Sequence, residues 1–246
     1  MANVHIDLID CFKMLNTKDV RVAIIKAEGK AFTAGLDVMD AGENVFSRVA
    51  EHSEDVGRKG IVMERILKTM QDSYTVAEES NFPVICLMHG YVIGAGIDLA
   101  AACDIRLATK DANFTIKEVD IGLAADLGTL QRFPKVVKSR SWAKELAHTA
   151  RYFGSEEALE NGFLSNIYDS REEMEESALK MAKTIASKIP AATAGLKDAI
   201  VYSRDHTISE GLEHTRILSA AILQSEDNLK KSIDILSKTN PKLAKL

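Results

Sequence analysis

The chain has 246 residues, 46% hydrophobic and 27% charged, which suits a folded α/β domain with a helical appendage and excludes a disordered chain. A formal net charge of −5 without a dense Lys/Arg run argues against nucleic-acid binding. No apolar run approaches the ~18 residues of a membrane span, and an anionic ligand would have to be met by local lysines and helix N-termini rather than by the overall field.

In chain order, residues 3–15 pattern as a short amphipathic helix, and its acids Asp7 and Asp10, with no basic stretch before them, exclude a secretory signal. Residues 20–26 are apolar and β-branched and read as a buried strand, closed by Glu28-Gly29. Residues 30–42 read as a loop and 55–80 as a long polar helix. A second buried strand spans 83–88, a helix of small residues 94–103, and a third strand 104–109. Alternating buried strands and helices predict a mainly parallel sheet. After residue 139 the pattern is mostly helical: 170–188, opening on a Ser cap and closing before Pro190, then 191–204, 207–224 and 226–239. The expected organisation is an α/β core over 1–170 and a helical region over 171–246. In the latter, an apolar stripe of Ile217, Leu218, Ala221 and Ile222 is more than a monomer covers. The three cysteines, Cys11, Cys86 and Cys103, have no CxxC and no His pair at ligand spacing; they read as buried reduced thiols, and no metal site is expected.

Three segments carry candidate chemistry: Lys30-Ala31-Phe32-Thr33-Ala34-Gly35-Leu36-Asp37, then His89 to Asp98 with Gly94-Ala95-Gly96, then Lys117 to Gly128. Small residues after a strand let the backbone approach a ligand and leave N–H groups unpaired, so two such turns can aim two donors at one oxygen. The acids Asp98, Glu118 and Asp126 follow at intervals of 20 and 8 positions. Paired carboxylates can remove a proton from one carbon and return it at another. Each piece alone has a plainer reading: Gly94-Ala95-Gly96 as close packing, Asp98 as an acid meeting a helix dipole, Asp126 as a helix cap and Glu118 as a solvated side chain.

Together, in order and spacing, the three segments resemble the crotonase (enoyl-CoA hydratase/isomerase) superfamily, from about residue 5 to at least 170 and loosely beyond. The resemblance implies a core of repeated ββα units with a helical C-terminal region. Relatives begin with a strand hairpin of roughly 25–30 residues; the likeness here starts in the helix that follows it. It further implies an oxyanion hole made by Leu36 N–H and Ala95 N–H, where Ala95 replaces the usual Gly. Lys30, Ala34, Gly35 and Gly94 would lie along an acyl-CoA thioester, CoA being part of the substrate rather than a cofactor.

Hydratases of the family carry Glu at the positions of Asp98 and Glu118 and Gly at that of Asp126. The present triplet looks instead like that of 3,5-dienoyl-CoA to 2,4-dienoyl-CoA isomerases of fatty-acid β-oxidation. By that likeness Glu118 is the base at carbon 2, Asp126 the acid at carbon 6, and Asp98 a supporting group. An enoyl-CoA hydratase, or a non-catalytic CoA-binding member, remains the alternative. The resemblance also implies a homotrimer or homohexamer. The last residues, Ala244-Lys245-Leu246, resemble a peroxisomal import signal read by a receptor, pointing to a peroxisome or glycosome-like organelle, with mitochondrion or cytoplasm as the alternative.

Overall fold

The computed structural model describes residues 4–37, 45, 47–226, 228–230 and 233–234. Its centre is β2, Val84–Met88, five residues buried without alternation because helices cover both faces of its sheet. β1 (Ala23–Ile25) and β4 (Ile105–Thr109) flank it in parallel, and β7 (Asn166–Tyr168) pairs in parallel with β4, giving the order β1-β2-β4-β7. Ile24 stands opposite Ile85, and Ile85 opposite Ile105.

A second, smaller sheet runs β3 (Tyr91–Ile93), β5 (Asn113–Thr115), β6 (Phe153–Gly154), with β3 and β5 parallel and β6 antiparallel. Thr33 extends it by a single parallel bridge to Val92. The two central strands of the large sheet, β2 and β4, are each followed by one in the small sheet and then by a helix. β2 and β3 lead into a helix at Ala95–Ala102; β4 and β5 lead through a 3₁₀ turn, Glu118–Ile121, to a helix at Thr129–Val136. This is the expected repetition of ββα units. Gly90 makes the bend between β2 and β3 at φ +56°; a Cβ there would stand 2.3 Å from the Lys30 carbonyl oxygen, so the loop before Thr33 can lie against the strand only if residue 90 has no side chain.

Helices in chain order are α1 (Val4–Asn16), α2 (Ser47–His52), α3 (Val56–Glu79), α4 (Ala95–Ala102), α5 (Thr129–Val136), α6 (Arg140–Thr149), α7 (Ser155–Glu160), α8 (Arg171–Ala186), α9 (Pro190–Ser203) and α10 (Ile208–Ile222). Phe114, Phe133, Phe153, Phe163 and Trp142 form one aromatic cluster between the layers. On the other face of the large sheet, Met174 and Ala178 of α8 pack on Ile85, Leu87 and Leu107. The layered core therefore continues past residue 170.

The sequence reading locates the longer elements to within a few residues. It misses β3, β5, β6 and β7, since two- or three-residue strands carry no measurable period. Cys86 and Cys103 are buried as expected, but Cys11 is exposed, while its neighbour Phe12 is the buried residue of α1. The expected helix at 226–239 and the loop at 30–42 lie partly outside the described residues. No described helix is long and apolar enough to cross a membrane.

α9 and α10 pack as a pair, and Gly195 permits the approach: a Cβ there would lie 2.6 Å from Ile222 Cδ1. Leu218 and Ile222 are thereby half-covered, while Ile217 and Ala221 remain exposed. Leu196, Ile200, Ile208, Leu212 and Ile217 are 64–84% exposed. One buried ammonium ties this pair to the core. Lys197, 6% exposed, donates to Ala77 O (2.7 Å), Ser80 Oγ (2.9 Å), Phe82 O (3.0 Å) and Asp104 Oδ2 (2.8 Å). Asp104 also accepts from Val84 N–H at the head of β2. Removing the ammonium takes the counter-charge from Asp104 and leaves the Ser80 hydroxyl alone to serve both the Ala77 and Phe82 carbonyls, so Lys197→Met should cost about 3–5 kcal/mol of stability in urea unfolding. Adding Asp104→Asn should recover part of that loss; no recovery would mean that the charge pair is not what matters.

Candidate active site

β3 ends at Ile93, and Gly94 turns the chain into α4 with φ +53° and ψ −112°. Gly94 N–H donates to Thr115 O at 3.0 Å, which pins the turn to β5. A Cβ on Gly94 would stand 3.0 Å from Glu118 Oε1, so the backbone passes directly beneath that carboxylate. Ala95 opens α4, where the first N–H groups have no partner within the helix; among the described residues Ala95 N–H donates to none. Among the described non-glycine residues, only Ala150 has a positive φ, so Ala95 takes an unstrained conformation despite replacing Gly.

The loop carrying Leu36 is fastened to the same strand. Thr33 N–H donates to Tyr91 O, and Ile93 N–H donates to Thr33 O. Gly35, at φ +87°, packs so that a Cβ would lie 3.2 Å from Ile93 Cγ2, and its N–H is taken by Thr33 Oγ1. Leu36 N–H follows, with no acceptor among the described residues. Two unsatisfied amides therefore border Ile93-Gly94. Lys30 and Ala34 are exposed on this same loop.

The acids meet on the other side of Gly94. Asp98, 1% exposed, accepts from Thr129 N–H at 2.5 Å through Oδ1, while its Oδ2 is buried without a partner. Burial pushes its pKa up to about 6 against the pull of that amide. Glu118 opens the 3₁₀ turn; its Oε2 is likewise buried and unpartnered, so it is not the solvated side chain of the plainer reading. Burial first, then the charges of Asp98 and Asp126, push Glu118 up to about 7. Asp126 is half-buried in the turn before α5 but does not cap that helix. The N-cap is Gly128, and the first amide of α5 is capped from α4 by Asp98. The charge of Asp126 thus acts on both Asp98 and Glu118.

Tyr74 of α3, 6% exposed, is a further wall; burial, then the charges of Asp98 and Glu118, hold its phenol neutral. The sequence reading passed over it, although Gln71, Tyr74, Thr75 and Glu78 fall at the spacing of one helix face. Ile97 is fully buried behind the acids, and Ile93 and Leu123 are half-buried near them.

Raised carboxyl pKa values mean that the folded chain holds protons that the unfolded chain has released between about pH 4 and pH 7. Stability should fall as pH rises through that window. Glu118→Gln, which cannot ionise, should melt higher than the parent at pH 8 and about equally at pH 4; an equal gap at both values would exclude the burial of the charge as its cause.

The family described as enoyl-CoA hydratase/isomerase matches residues 1–244. The mitochondrial Delta(3,5)-Delta(2,4)-dienoyl-CoA isomerase of Rattus norvegicus is 39% identical over 237 residues, 96% of this chain and 72% of that protein. The peroxisomal Delta(3,5)-Delta(2,4)-dienoyl-CoA isomerase of Arabidopsis thaliana is 38% identical over 228 residues, 93% of this chain and 81% of that protein. The crystal structure of an enoyl-CoA hydratase from Bacillus anthracis superposes with a TM-score of 0.83 at 24% identity, covering 95% of this chain and 85% of that one, which is a likeness of fold. The paired glycine turns, the buried acids and the ββα repetition agree with these matches, and the chain belongs to the enoyl-CoA hydratase/isomerase family.

Proposed function

We propose that the chain is an isomerase that converts 3,5-dienoyl-CoA to 2,4-dienoyl-CoA in fatty-acid β-oxidation. The observation that carries this reading is the third carboxylate, Asp126, in the field of Glu118 and Asp98. A hydratase needs two acids around one water; here Asp98 is engaged with the Thr129 amide, and the additional acid suits proton delivery at a second carbon.

The thioester oxygen would accept from Leu36 N–H and Ala95 N–H, with the acyl-CoA passing Lys30, Ala34, Gly35 and Gly94. Glu118 breaks the C2–H bond. The electron pair spreads from the oxyanion across the diene, and Asp126 forms the new C6–H bond, leaving double bonds at positions 2 and 4. Asp98 supports the turn and the field. The shift is redox-neutral and calls for no cofactor, CoA being part of the substrate. Each turnover leaves Glu118 protonated and Asp126 ionised, so the shared field of the three acids favours return of the proton.

We further propose a homotrimer or homohexamer, in which a second copy covers the apolar faces of α9 and α10. Import into a peroxisome would use Ala244-Lys245-Leu246, residues outside those described; the similar proteins include both peroxisomal and mitochondrial enzymes.

Glu118→Gln and Asp126→Asn should each lower isomerase turnover about 10²–10⁴-fold, with Asp98→Asn costing less. Turnover should rise with pH as Glu118 ionises near 7. These are read from the absorbance of the conjugated product; an Asp126→Asn variant with full activity would return the chain to a general enoyl-CoA hydratase or isomerase. Light scattering should give three or six times the 26.9 kDa chain mass, and a monomer at micromolar concentration would overturn the proposed assembly.

A further inference from the structure

No described residue hydrogen-bonds the carboxylate of Asp126, so its aim is set by its backbone. That backbone is tethered at both ends of the turn. At Thr129 the amide is held by Asp98. At Asp126 itself, Gln71 reaches across from α3 and donates Nε2–H to the carbonyl oxygen at 2.7 Å. Between them Gly128 sits at φ +133°, where a Cβ would lie 2.0 Å from Arg132 Nη1. Arg132 in turn donates to Glu78 Oε2 (2.9 Å) and Thr75 Oγ1 (2.8 Å). Gln71, Thr75 and Glu78 occupy one face of α3, so that face straps down the whole acid-bearing turn and the helix after it.

Gln71 differs from the other members of the strap. Arg132 and Glu78 are buried and paired, whereas Gln71 is exposed and its amide fills no core space. An exposed side-chain amide spanning 55 positions to one carbonyl adds little to overall stability, but it fixes where a proton donor stands. A displacement of about 1 Å at such a group can lower a rate roughly 10²-fold.

We propose that Gln71 is a positioning residue for Asp126, setting the distance from that acid to carbon 6 of the acyl chain. This rests on the dienoyl-CoA isomerase reading above. It predicts an uncoupling of the two proton transfers, because Glu118 is held by the 3₁₀ turn and Gly94, which Gln71 does not touch.

The test uses the full chain and 3,5-dienoyl-CoA in deuterated water, comparing the parent with Gln71→Met, which keeps length and volume but has no donor, and with Gln71→Ala. Formation of 2,4-dienoyl-CoA should fall about 10–100-fold in both variants, with KM within about twofold. Exchange of the C2 proton for deuterium should continue at the parent rate. Isomerisation at the parent rate in both variants would overturn the proposal, as would an equal fall in exchange and isomerisation, which marks a general loss of structure. If the parent chain itself formed no 2,4-dienoyl-CoA, the isomerase reading would fail and this proposal with it, an outcome distinct from unchanged variants of an active enzyme.

Discussion

The bond from Thr129 N–H to the buried Asp98 carboxylate holds this site together. It joins two helices from successive ββα units, and it caps α5 with an acid from α4 rather than with a residue of its own turn. An amide at a helix N-terminus carries partial positive charge, which makes a buried carboxylate tolerable. Without that partner, Asp98 would be fully desolvated beside two other acids. With it, one oxygen is satisfied and the other stays unpartnered in the interior, which is why burial still raises its pKa to about 6.

That arrangement leaves Glu118 as the group most free to exchange a proton near neutral pH. Its carboxylate lies over Gly94, where no side chain intervenes between the acid and the turn that presents Ala95 N–H. Ala95 N–H thus follows directly on the glycine that lies under the acid. The proposed enolate chemistry needs such closeness, because the base must act on the carbon next to the carbonyl that the amides would polarise. The raised pKa values are a destabilising element of the folded state above pH 7, a cost commonly found where activity depends on buried charge.

The C-terminal helices are not an independent appendage. Lys197 anchors them to the end of α3 and the head of β2, and Arg204 of the same segment reaches Glu78, which also holds Arg132. The path from the exposed apolar face of α9 and α10 to the acid-bearing turn thus runs through Glu78 and Arg132. Association that orders α9 and α10 would stiffen the wall of the site as well as cover apolar surface.

Much was legible in the order of residues alone. Glycine-rich turns after buried strands, and acids at 98, 118 and 126, are choices of residue type, and residue type limits chemistry directly: a residue with a Cβ is strained at Gly90 or Gly94, and only an acid can play the part proposed for Glu118. Long buried strands such as Val84–Met88 announced themselves by apolar runs. The tertiary structure decided what depends on partners distant in sequence. The two- and three-residue strands exist only because a neighbour completes their hydrogen bonds. The plainer reading of Asp126 as a helix cap is set aside only because α4 supplies Asp98 in that role, and Tyr74 and Gln71 are merely positions on a polar helix until folding brings them to the acids 24 to 55 positions away. Cys11 reads as buried from its apolar neighbours, yet it is exposed while the adjacent Phe12 is buried, a difference that only the packing of α1 decides. Residue identity sets what a group can do; only the packing of separate elements sets its solvation, and with it the charge it carries at neutral pH.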